Sequence, residues 1–183
     1  MARRTDSVGK ESIRSDTITF RIDHRIINSL RGESKENGES LNILIGQLLK
    51  TYVDYHKPAG KAGNIYFPNG LISRLFDYLP YEQIDKFASD WVNLDLKEQM
   101  NVFRQEYTLS IYMTTLCDWL KVSHFPFSQS RTNDDETITI RFDMGRNFSA
   151  FFGRCIELIC RQFNVINPKL EVTNNTVMFT IPS

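Results

Sequence analysis

The chain has 183 residues, room for one domain or two small ones, and its 41% hydrophobic and 24% charged content excludes wholesale disorder. Lys and Arg number 22 against 22 Asp and Glu, a formal net charge of zero that by itself argues against a nucleic-acid binder. The balance is uneven along the chain: residues 1–61 hold 11 basic and 8 acidic side chains (11 − 8 = +3), residues 62–183 hold 11 and 14 (11 − 14 = −3).

Residues 1–15 form a basic, polar arm without the apolar region of a signal peptide. No window reaches the run of about 18 apolar residues that a membrane span needs, so a cytoplasmic protein is expected. Cys117, Cys155 and Cys160 are odd in number and lack CxxC spacing. They read as reduced, buried thiols.

Residues 16–57 read as strand, helix, helix. In Thr17-Ile18-Thr19-Phe20-Arg21-Ile22-Asp23 the apolar Ile18, Phe20 and Ile22 alternate with Thr17, Thr19 and Arg21. Asp23 can cap a first helix through Ile26, Ile27 and Leu30. Gly32, Glu33 and Ser34 predict that this helix is short or frayed in its later half, and Asn37-Gly38 stops it. Ser40 caps a second helix, where Leu41, Leu44, Ile45, Leu48, Leu49, Tyr52 and Val53 keep an unbroken helical period. One strand and two short helices cannot bury a sufficient core, and a lone strand leaves its backbone groups unpaired. Two copies that pair strands and interleave helices remove both difficulties, so an obligate homodimer is expected.

These residues resemble the ribbon-helix-helix family of Arc-type and methionine-repressor-type DNA-binding proteins. The resemblance rests on the alternating strand, the Asn37-Gly38 break, and Gly38-Glu39-Ser40-Leu41-Asn42, which is similar to the family's G-x-S-x-N turn. It implies a swapped dimer whose two-stranded ribbon enters the major groove of a palindromic operator. Thr17, Thr19 and Arg21 would then contact bases, with Arg21 suited to guanine O6/N7. The start of the second helix at Ser40, Leu41 and Asn42 would hold a phosphate. Arg3, Arg4, Lys10 and Arg14 of the arm either follow the DNA backbone or a minor groove, or belong to a solubilising tail.

Residues 58–64, rich in Pro, Gly and Ala, read as a linker to an aromatic-rich domain at 65–183. Helices are predicted near 68–79 and 81–92, with a longer one over 94–120 of roughly 40 Å. A loop over 121–136 precedes a strand at 137–143, a helix from Arg146 to Phe163, and a hairpin of 169–173 with 176–181 about Asn174-Asn175. The expected order is β-α-β-β and the expected class is α+β.

His24, His56 and His124 are scattered, and no HExxH, GxSxG or P-loop occurs. No metal site, cofactor or catalytic activity is therefore expected. The C-terminal domain would serve oligomerisation or sense a small-molecule or protein effector, with pairing of dimers into tetramers left open. The alternative is an antitoxin whose C-terminal domain binds a protein partner.

Overall fold

The computed structural model describes residues 16–104, 106–132, 135–166 and 168–182. The chain divides between Gly46 and Gln47 into two compact units.

In the first unit, residues 16–23 take no strand conformation. The expected ribbon is not formed. A β-ladder is made of hydrogen bonds to a neighbouring strand, and no described residue of the single chain pairs with this segment. Helix α1 (His24–Glu36) begins where the Asp23 carboxylate accepts from the Arg25 N–H at 2.7 Å. It runs through Gly32 without fraying, contrary to expectation. The reason lies at its far end. There Gly38 N–H donates to Lys35 C=O (3.2 Å) and Glu39 N–H to Ser34 C=O (2.9 Å), closing the last turn and satisfying its carbonyls. Gly38 sits at φ +68°, the left-handed value this closure requires.

Helix α2 (Leu41–Thr51) starts at Ser40, whose Oγ accepts from Ile43 N–H at 3.2 Å. It leads through a π-helical turn at Tyr52–His56 into α3 (Lys57–Lys61). The stretch expected as a linker is thus helical as far as Lys61. In the wider π turn Lys57 N–H donates to Tyr52 C=O, which shifts the hydrogen-bond register just before Pro58 and accommodates its missing donor. Tyr55 and Ala59 are buried on this stretch, and α3 packs on α6 (Lys97–Arg104).

Helices α4 (Asn69–Tyr78) and α5 (Tyr81–Asp90) follow, each entered through a proline. A second π turn at Trp91–Leu96 joins α5 to α6. The long helix expected over 94–120 is broken. Thr108 leaves the helical conformation (φ −122°, ψ 160°), and its hydroxyl accepts from Ile111 N–H to begin α7 (Leu109–Val122). That bond competes with helix continuation, the usual behaviour of Thr.

The sheet lies at the C-terminus. Its order is β1 (Phe127–Arg131), β2 (Asp135–Arg141), β4 (Thr176–Pro182), β3 (Lys169–Val172), antiparallel throughout. The register sets Ile138 opposite Phe179 and Ile140 opposite Val177. All four are buried, so the period-2 pattern puts one face into the core. Helix α8 (Arg146–Gln162) precedes β3, giving β-β-α-β-β where β-α-β-β was expected. It packs on β3, β4 and α5, burying Phe148, Phe152, Cys155, Ile156 and Ile159. Side-chain bonds fix its entry. Asn147 Nδ2 donates to the carbonyls of Phe76 (3.0 Å) and Leu79 (3.2 Å), and Ser149 Oγ donates to Asn174 C=O (3.1 Å). The protein is α+β.

Candidate nucleic-acid interface

Thr17, Thr19 and Arg21 lie in the irregular segment before α1, and all three are exposed. Among the described residues none of them has a hydrogen bond or ion pair. The apolar residues between them are exposed too: Ile18 at 69%, Phe20 at 59% and Ile22 at 38%. The single chain therefore does not sort this segment into a buried and an open face. Arg25, which no sequence pattern singles out, is also exposed, but Asp23 engages its guanidinium at 3.2 Å. The same Arg25 donors hold the Asp23 carboxyl below its usual range.

Ser40, Leu41 and Asn42 share the start of α2. The first N–H groups of a helix have no intrahelical acceptor, and they carry the positive end of its dipole. The Ser40 hydroxyl is already engaged by Ile43 N–H as a cap. The backbone groups of Leu41 and Asn42 are the ones such a helix start offers to an anion. No hydrogen bond or ion pair connects this trio with Thr17, Thr19 or Arg21 among the described residues.

Charge is distributed in an unexpected way. Residues 16–46 carry 4 basic and 5 acidic side chains (4 − 5 = −1), whereas residues 1–15 carry 4 and 2 (4 − 2 = +2). The excess noted for residues 1–61 thus belongs partly to the arm, whose Arg3, Arg4, Lys10 and Arg14 lie outside the described residues. The rest comes from Lys50, Lys57 and Lys61, and Lys50 is ion-paired with Asp54.

Sequence spacing gave no warning of two features of the second unit. His56 and His124, remote along the chain, line one groove of about 490 Å³ with Lys50, Asp54, Asp118 and Lys121. In it His56 Nδ1 lies 2.5 Å from the Tyr66 hydroxyl. A separate apolar cavity of about 400 Å³ is lined by residues of the helices, Trp91, Trp119 and Phe151 among them. The three cysteines are buried. Burial pushes the Cys155 thiol up to about 12 and the Cys160 thiol up to about 11, and raises Cys117 as well. Among the described residues no group of three or more His, Cys, Asp and Glu is placed to hold a metal ion. Nor is any helix among them long and apolar enough to cross a membrane. No protein-family model matches this chain, and comparison with curated proteins finds no match.

Proposed function

We propose that the protein is a dimeric, sequence-specific DNA-binding transcriptional regulator of the ribbon-helix-helix type. The observation that carries the reading is an unpaired alternating segment, residues 17–23, directly before two capped helices joined by a left-handed glycine turn. In one copy Ile18 and Phe20 stay in water, as do Ile26 (54% exposed) and Ile43 (53%). Leaving a large aliphatic or aromatic side chain exposed forfeits about 1.5–3 kcal/mol relative to burying it. A second copy pairing its residues 17–23 antiparallel would supply the missing backbone partners and cover one face of the ribbon. Thr17, Thr19 and Arg21 would then stand on the other face, at a spacing that fits the major groove.

In this reading Arg21 donates to guanine O6 and N7, while the two threonines offer hydroxyls to either base type and methyls to thymine. The Leu41 and Asn42 N–H groups, with the Asn42 side chain, grip a phosphate and fix the register; Ser40 holds the helix start in shape. The twofold axis of the dimer requires a palindromic site.

Selection of bound duplexes from a random DNA pool by the full chain tests the proposal. An enriched palindrome, bound by two chains as measured by light scattering of the complex, is the expected result. Recovery of no consensus, or of a consensus bound by a single chain, overturns it.

A further inference from the structure

A second site lies in the C-terminal unit, apart from any residue assigned to DNA. The apolar cavity of about 400 Å³ is walled by residues of α5, α6, α7, α8 and the π turn between α5 and α6, with Trp91, Phe103, Trp119 and Phe151 supplying aromatic surface. Protein interiors are close-packed and hold few voids larger than a water molecule. A dry apolar cavity of about 150 Å³ already takes up benzene. This one is more than twice that size, and Phe87, 45% exposed, is among the residues around it.

Its chemistry narrows the occupant. None of the lining side chains carries a charge at neutral pH. A charged ligand would lose its hydration and gain no counter-charge in return. Polar capacity is nevertheless present. Tyr112 lines the cavity and is only 7% exposed, yet its hydroxyl has no hydrogen-bond partner among the described residues. The Tyr112 hydroxyl is not sealed off, since among the described residues Arg154 Nε is the one fully buried side-chain N or O atom without a hydrogen bond, so this hydroxyl stands open to an acceptor or donor carried by a ligand. The Gln99 carboxamide, half-buried on the same wall, is likewise without a partner among the described residues.

We infer that this cavity is a binding site for an uncharged, flat aromatic small molecule carrying one hydroxyl or carbonyl group, with the rings held among Trp91, Phe103, Trp119 and Phe151 and the polar group bonded to Tyr112. The site belongs to the C-terminal unit alone and does not depend on the DNA reading.

The test uses the full chain and 2-naphthol, with 2-naphthoate as the same ring system bearing a charge. Binding is followed by calorimetry and by quenching of Trp91 and Trp119 fluorescence. Saturable binding of one 2-naphthol per chain, a raised Tm, and at least about tenfold weaker binding of 2-naphthoate are expected. Tyr112→Phe keeps the ring and removes the hydroxyl, so it should weaken 2-naphthol about fivefold at an unchanged circular dichroism spectrum. Leu116→Trp fills the cavity and should abolish binding. If this variant is unfolded by circular dichroism, Tyr112→Phe decides. Non-saturable 2-naphthol binding, equal affinity for 2-naphthoate, or a Tyr112→Phe variant that binds both like the parent each overturns the assignment.

Discussion

Two glycines at α1, one inside the helix and one just past its end, should respond to the same substitution with opposite signs. Gly32 lies inside α1 with open space where a Cβ would stand, so Gly32→Ala should stabilise the protein by up to about 1 kcal/mol. Gly38 has equal room but sits at φ +68°, where an L side chain is strained, and Gly38→Ala should destabilise by about 1–2 kcal/mol. Urea unfolding of both variants checks the pair. Asp23 adds a pH dependence. Its folded carboxyl titrates below the unfolded one because Arg25 donates to the charged form. The stability it contributes is therefore present above the ordinary carboxylate range and lost as pH falls through its folded pKa. Acidification below about pH 4 should reduce helicity at α1, and Asp23→Ala should remove that part of the acid transition, followed by circular dichroism. Arg21→Ala changes an exposed position without partners among the described residues, so it should leave the fold of the chain and, on the proposed reading, its dimer intact. On the proposed reading it lowers discrimination between operator and random DNA by about 1–3 kcal/mol in an anisotropy titration.

Elements differed in how plainly their residues announced them. The helix of Arg146 to Gln162 and the strands at 135–141 and 176–182 bury one regular face, and a regular face is what apolar spacing encodes. Strand β1 buries almost nothing: Ser128, Gln129, Ser130 and Arg131 are exposed, so no hydrophobic alternation marked it. The break at Thr108 was hidden because apolar residues continue at helical spacing on both sides, and only a hydroxyl bond to Ile111 decides it. Pro58 and Gly60 misled in the opposite direction, since their composition suggests a flexible tether while the π turn and the buried Tyr55 and Ala59 keep the chain helical. Of the candidate site, the helix start at Ser40 was visible as a cap; the ribbon expected at residues 17–23 is not formed in the single chain, because a period-2 pattern marks a strand's two faces and does not supply the strand it pairs with. Element packing also yields a prediction. A Cβ on Gly153 of α8 would come within 2.5 Å of Val172 Cγ2 on β3. Gly153→Ala should therefore push helix and strand apart and destabilise by about 1–3 kcal/mol, measured as a fall in the urea midpoint.

At the scale of the molecule, the zero net charge separates into an acid-leaning segment at residues 16–46, a basic arm and an acidic C-terminal part. On the proposed reading, the part of DNA attraction that is independent of sequence should then reside in residues 1–15. Removing residues 1–15 should flatten the dependence of log K on log salt by about 0.9 for each phosphate that the arm had neutralised, and should weaken random DNA proportionally more than the operator. A slope unchanged by the truncation would place the attraction elsewhere, with Lys57 and Lys61 the next candidates. The four-stranded sheet bears on assembly in a different way. Its two rims are β1, polar and ending in Arg131, and β3, four residues long with Lys169 and Glu171 exposed. Short, charged rims resist strand addition from other molecules. The aromatic-rich half of the chain is thus protected from edge-on stacking into fibrils, so that the pairing of two copies proposed for residues 17–23 would not extend through the sheet into an open-ended array.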